Sequence, residues 1–378
     1  MRRVGTTWTA ALLGTASVLL GCSQERASSA LPKASGVQAS FTQLVMASPM
    51  RVTIDTQDAR DARSAASAAF ARAVQVENAL SDWQPNSDVC RLPLTADKPT
   101  VVAADLAMAL DRSSEVQKAT EGAFDPALGA LTRIWREARS TGIPPTEASI
   151  AQARARSGWS HVRWSSNTQT ITFDCDGVRL DFGGIGKGLA ATEALRAIEQ
   201  RGCQTALVSL DGDIACGAAP FGRAGWRVDV DSGVDGDAGC TLCLTNCAVS
   251  TSGDREQWVD VSAHHLAHII EPRSQTPRNG RFGVTVVAQN GAIADALATA
   301  LAARPTLIER VSELRAALGS FEARLVTPES GSAEACPAHI TVTSGWEALV
   351  AKDVQASGRS PAAAPPSANH AGTVPSGR

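Results

Sequence analysis

The run Ala294–Ala302 constrains this chain most: at helical spacing its only polar side chains are Asp295 and Thr299, so the helix must lie inside the fold. The two stand four residues apart, which puts both oxygens on one helix face. A carboxylate in such a helix costs several kcal/mol of desolvation unless something pairs with it, and the commonest relief for a carboxylate beside a hydroxyl is a hard cation. The pair therefore reads as half of a Mg2+ site. The competing reading places Asp295 one turn inside the helix start, favoured by the dipole, with Thr299 filling space.

Arg2 and Arg3 precede a mostly apolar run, Trp8 to Leu20, too short to span a bilayer and shaped like an export signal over residues 1–21. It ends in Leu19, Leu20, Gly21 and Cys22, which resembles a bacterial lipobox. Cys22 is then expected to carry a lipid and to anchor the protein to a membrane of the cell envelope, facing the periplasm. An ordinary cleaved signal is the alternative, and inner against outer membrane stays open. Residues 22–40 read as a flexible tether, and 351–378, rich in Pro, Ala and Ser, as a disordered tail. Residues 41–350 suffice for one large two-lobed unit or two modest domains.

A net charge of -3 leaves no basic stripe, and 4% aromatics with no tyrosine leaves little for base stacking, so no nucleic-acid partner is expected. Eight cysteines remain once Cys22 is set aside, and in an exported chain they allow disulfides of unreadable pairing. Cys240, Cys243 and Cys247 lack a fourth metal ligand nearby and lie in alternating sequence, which favours small buried strand residues or one disulfide.

Val45 to Asp55 reads as a strand, Ala59 to Leu80 as an Ala-rich helix, and Ser81–Asp88 as a polar loop around Trp83. A second helix is expected over 103–120. Ala123, Phe124, Asp125 and Pro126 precede Leu128, Leu131 and Trp135 at helical spacing, so Asp125 reads as an N-cap with proline at the first helical position, a role that would suffice to explain it. Residues 161–181 alternate as two short strands ending at Asp181. Phe182–Gly188 then offers glycines and Lys187 before an apolar-faced helix, an arrangement suited to an anionic group at a helix N-terminus, or simply a structural turn. Asp211, Gly212 and Asp213 read as a turn after the strand Ala206–Leu210, and Val284–Ala288 is the last clear strand before the Asp295 helix. His268 alone would serve more often as a hydrogen-bonded structural residue than as a proton carrier.

Taken in order, these segments resemble the ApbE-type flavin transferases, FAD:protein FMN transferases. Met46, Ala47 and Ser48 stand where that family has Met-Gly-Thr, and Trp83 stands where it has tyrosine. Ala123, Phe124 and Asp125 repeat its Ala-Phe-Asp, and Asp181 to Gly188 repeats its Gly-Gly-Ile-Ala-Lys-Gly turn except at Gly186. His268 to Pro272 is similar to His-Ile-Ile-Asp-Pro with Glu271 for aspartate, and Asp295 with Thr299 matches its metal pair.

The resemblance implies an α+β fold, mostly antiparallel sheets with packed helices in two lobes enclosing FAD. It implies that Met46, Trp83, Ala123, Phe124, Asp125, Asp181, Lys187 and Ile270 line the FAD site, and that Gly184, through its carbonyl, holds Mg2+ with Asp295 and Thr299. The implied reaction moves FMN from FAD to a threonine hydroxyl of an extracytoplasmic redox protein and releases AMP. His268 is the first candidate base and Asp181 the second. Two rival readings keep the same residues: an FAD pyrophosphatase, in which water replaces threonine, and a flavin-binding lipoprotein with no turnover.

Overall fold

The computed structural model describes residues 37–253, 258–261, 264–328 and 338–352. The export signal, Cys22 and the tail from residue 353 lie outside the described residues.

The chain enters through a hairpin, β1 (Val37–Val45) and β2 (Ser48–Thr56). The strand expected over Val45–Asp55 is β2, which starts at Ser48 after a turn, and β1, for which no strand is expected from the sequence, begins inside the stretch read as tether. Their connection is only two residues long, with Met46 at φ 51° and Ala47 at φ 58°, the left-handed pair that lets a tight turn match the strand twist. Ala47 adopts that conformation at a steric cost glycine would not carry. Ala47→Gly is therefore expected to stabilise the protein by about 1 kcal/mol, read as a thermal midpoint higher by about 2 °C.

Next comes α1 (Ala59–Leu80), capped by the Asp58 carboxylate, which accepts from the Arg60 amide at 2.7 Å. Its alanines 62, 65, 66, 69 and 73 recur at helical spacing and are all buried. The chain continues through β3 (Thr100–Val101), α2 (Ala104–Ala119), α3 (Gly129–Thr141), α4 (Glu147–Arg154), β4 (Val162–Ser165), β5 (Thr170–Phe173) and α5 (Gly186–Glu199). Then follow β6 (Ala206–Leu210), β7 (Asp213–Cys216), β8 (Trp226–Val230), β9 (Cys240–Leu244), β10 (Cys247–Gly253), β11 (Trp258–Val261), β12 (His264–Glu271), β13 (Thr276–Asn279) and β14 (Gly283–Ala288). The last elements are α6 (Gly291–Ala303), α7 (Val311–Leu318), β15 (Phe321–Thr327), β16 (His339–Val342) and α8 (Trp346–Leu349).

Eight strands make one sheet in the order β1-β2-β6-β7-β10-β14-β15-β16, antiparallel at every pairing. Period-2 alternation assigns its two faces. Ala206, Val208, Leu210 and Ala215 join the main core with α1, α5 and α6, while Leu207, Ile214, Cys216 and Val249 turn to the opposite face and pack with β8, β9 and Trp346. The expected α+β architecture with mostly antiparallel sheets is what forms. No described helix is long and apolar enough to cross a membrane. The seven described cysteines are free thiols, with Cys240 and Cys243 on β9 and Cys247 opening β10.

A buried ion pair fastens the loop after β8 to β15. Arg324 and Asp237 have side chains 6% and 0% exposed, and the guanidinium meets both carboxylate oxygens. Burial alone would raise the Asp237 carboxyl, but Arg324, the Ser232 hydroxyl and the Gly239 amide hold it well below the ordinary 3.8. A depressed carboxylate stabilises fully above its unfolded value and ceases to as pH falls through its folded one. This contribution is complete above about pH 4 and drains away in stronger acid. Asp237→Asn, which leaves the buried guanidinium unmatched, is expected to cost about 3 kcal/mol by urea unfolding at neutral pH, with the difference from the parent narrowing in acid.

Candidate active site at the glycine turn and the acidic helix

Of the stretch 161–181, only β4 and β5 form strands. Beyond them the backbone is held by the loop before α3: the Asp181 amide donates to the Pro126 carbonyl at 2.7 Å and the Gly129 amide to that of Arg179 at 3.1 Å. Asp125 does not cap α3, whose preceding residue is Leu128. Its carboxylate instead accepts from the amides of Ala127 and Trp159, each at 2.8 Å, closing a local turn and tying it to the segment before β4. Burial raises the Asp125 carboxyl above its ordinary range, opposed by those two amides.

The turn 181–185 feeds α5, and α5 meets α6 through glycine. A Cβ on Gly188 would lie 2.1 Å from the Gly291 carbonyl oxygen, and one on Gly291 would lie 2.3 Å from that of Gly188. The contact is further pinned by the Gly291 amide, which donates to the Thr192 hydroxyl at 2.9 Å. This closeness brings the Gly188 amide to 3.1 Å from Asp295 Oδ2. One turn along, a Cβ on Gly184 would sit 2.7 Å from Thr299 Oγ1, so the glycine turn lies directly against that hydroxyl. Gly184, Lys187, Asp295 and Thr299, expected from the sequence to act together, are brought together.

The electrostatics of this cluster are unbalanced. Lys187 Nζ pairs with Asp211, in the β6–β7 turn. Burial works against the ammonium, yet Asp211 with Asp213 and Asp295 beyond it holds the Lys187 pKa above its ordinary value. Asp213 is not a turn residue but the first of β7, buried, with its carboxyl pushed up to about 7 by burial. Asp295 is raised well above the usual range, first by burial and then by the nearby Asp213 charge. Three carboxylates thus surround one ammonium. Carboxylate, hydroxyl and backbone carbonyl are the donors a hard divalent cation takes.

A second group of charges flanks the turn. Asp181 accepts from the Gly183 amide at 2.8 Å and meets Arg136 Nη2 at 3.4 Å, while Arg136 Nη1 donates to Asp82 at 2.6 Å. The same guanidinium stacks 4.4 Å from the ring of Trp83, a side chain 71% exposed. Burial and the Asp181 charge raise the Asp82 carboxyl against the pull of Arg136. Ala123 and Phe124 are buried in the main core, and Ile270 packs with Leu128, Leu131 and Trp135 beside the Asp125 turn. His268 lies half-buried on β12, which packs on α6, and Met46 sits at the β1–β2 turn against the main core. Glu271 is a clamp: its carboxylate accepts from the Ser274 amide at 2.6 Å and from Arg304 at 3.2 Å.

The chain matches the family model described as the ApbE family over residues 46–316. The chain belongs to the ApbE family. An FAD:protein FMN transferase of Chlamydia pneumoniae is 30% identical over 244 residues, 62% of this chain and 74% of the relative. One of Klebsiella pneumoniae is 26% identical over 301 residues, 77% and 85% of the two chains. Among solved structures, the flavin transferase ApbE from Vibrio cholerae shares the fold at a TM-score of 0.70 with 20% identity, covering 83% of this chain and 99% of its own. The apo flavinyl transferase ApbE of Pseudomonas stutzeri does so at 0.70 with 24% identity, covering 84% and 98%.

Sequence reasoning about this ApbE-family chain missed Arg136 and Asp213. Arg136 follows a core tryptophan on α3, and its partners lie 54 and 45 positions away, so spacing carries no trace of it. Asp213 was hidden by Asp211 and Gly212, whose turn character extends by eye to the next acid although the strand has already begun.

Proposed function

We propose that this ApbE-family chain is an FAD:protein FMN transferase that transfers FMN from FAD to a threonine hydroxyl of an extracytoplasmic redox protein, with Mg2+, while a lipid on Cys22 holds it at the periplasmic face of a membrane. The names of the relatives support the flavin chemistry. The observation that carries the metal reading is the buried Asp295 carboxylate, left with Asp213 in a cluster whose ammonium is already paired to Asp211. A divalent ion held by Asp295, Thr299 and the Gly184 carbonyl balances that charge, so the donors fit.

In the reaction the threonine oxygen forms a bond to the FMN-side phosphorus, the bond from that phosphorus to the oxygen bridging to AMP breaks, AMP leaves and one proton is released. Bound Mg2+ supplies neutralisation of charge developing on the diphosphate. Gly183, Gly184 and Gly186 carry no side chain to cover the backbone at the start of α5, where a diphosphate can approach the helix N-terminus. Lys187 adds positive charge there, and Asp211 orients it. Arg136 fixes Trp83 as a flat face for a ring of the nucleotide. His268, on β12 packed against α6, is the first candidate base for the threonine proton, and Asp181, held by Arg136 and the Gly183 amide, is the second.

The test is incubation with FAD, Mg2+ and a threonine-bearing acceptor domain, followed by denaturing electrophoresis and in-gel fluorescence. A flavin band on the acceptor is expected. No band with a proven acceptor, together with AMP released in its absence, would replace this reading with FAD hydrolysis.

A further inference from the structure

Asp213 stands outside every role assigned so far. It opens β7 directly across from Ser250 of β10, and alternation with Ala215 turns it to the helix-covered face of the sheet, where β7 packs on both α5 and α6. Its side chain is buried, with the residue 6% exposed. The Ser250 hydroxyl serves the carboxylate, but Oδ1 has no hydrogen-bond partner. Buried carboxylate oxygens are almost always matched, and an orphan asks what completes it.

The neighbouring groups narrow the answer. Lys187, the nearest cation, is committed to Asp211, whose side chain is 38% exposed and can also use water. Asp213 has no such recourse, and its close neighbour across the cluster is another buried acid, Asp295. A lone monovalent partner would leave one of the two unmatched, whereas a divalent ion between them satisfies both.

We propose that Asp213 is a further ligand of the divalent cation held by Asp295 and Thr299, donating Oδ1 from the sheet side while α6 donates from the helix side. The inference rests on the metal reading under Proposed function. It makes the cation a clasp between β7 and α6, so that removing it loosens sheet from helix at the site.

The test is Mn2+ binding to the full-length protein without FAD, followed by electron paramagnetic resonance at neutral pH, for the parent, Asp213→Asn, Asp295→Asn and, as a surface control, Asp97→Asn, whose side chain is exposed beside Arg163. Asp213→Asn and Asp295→Asn are each expected to weaken Mn2+ binding by about tenfold or more, and Asp97→Asn by less than about threefold. Thermal melts add a readout independent of turnover: in EDTA Asp213→Asn melts above the parent, and added Mg2+ raises the parent but not the variant. Normal Mn2+ affinity in Asp213→Asn with lost affinity in Asp295→Asn would overturn the role of Asp213 while leaving the metal reading intact. Normal affinity in both would overturn the two together. Should Asp213→Asn fail to fold, a crystal of the parent soaked in Mn2+ decides: an anomalous peak at ligand distance from Asp213 Oδ1 supports the assignment, and one that Asp213 does not touch refutes it.

Discussion

Asp295→Asn is expected to lower FMN transfer by about 10^3-fold or more, the loss of roughly 4 kcal/mol of charge stabilisation at the transferring phosphoryl group. The same variant is expected to melt no lower than the parent in EDTA. Both outcomes come from one fact: the carboxylate is buried beside Asp213, with a single backbone amide at 3.1 Å as its described hydrogen bond. Asparagine keeps the shape, removes the repulsion between two buried acids and forfeits the anionic ligand. Initial rates of acceptor fluorescence and melts with and without Mg2+ measure the two halves separately. A variant that transferred FMN at the parental rate would end the metal reading of α6. One that lost stability as well as activity would show that Asp295 belongs to the scaffold.

Gly188→Ala is expected to destabilise the fold by more than about 4 kcal/mol, because the added carbon would collide with backbone and not with a side chain that can turn away. The Gly291 carbonyl oxygen at 2.1 Å, its carbon at 2.6 Å and Asp295 Cβ at 2.8 Å all belong to the first turns of α6, so relief requires α6 to move away from α5. Any such shift also separates the Gly188 amide from Asp295 and Gly184 from Thr299. Urea unfolding gives the magnitude. The mirror variant, Gly291→Ala, is expected to match it, since its Cβ meets the Gly188 carbonyl at 2.3 Å.

Much of this organisation was legible in the sequence where a pattern is local. The burial of α1, α5 and α6 follows from apolar residues at helical spacing, and β6 and β14 from short alternating or continuous apolar runs. The glycine turn and the Asp295–Thr299 pair could be read because each is contiguous or one helical turn long. What could not be read depends on tertiary partners. Leu180 and Asp181 look like a strand end, but the amide of Asp181 is taken by the Pro126 carbonyl in a loop. Asp125 before Pro126 has the chemistry of a helix cap, yet the amides it meets are those of Ala127 and Trp159, the second supplied by a distant segment. The break at Met46 and Ala47 escaped notice because neither residue type signals a left-handed turn. Glu271, a departure from the family's aspartate, became intelligible only with Arg304 beside it.

The stacking of Arg136 on Trp83 has a practical consequence. Of the tryptophans whose side chains are described, Trp83 alone is exposed. If the proposed nucleotide site includes Trp83, FAD binding is expected to quench the emission of this exposed indole, a signal readable in a cuvette without label, acceptor or turnover.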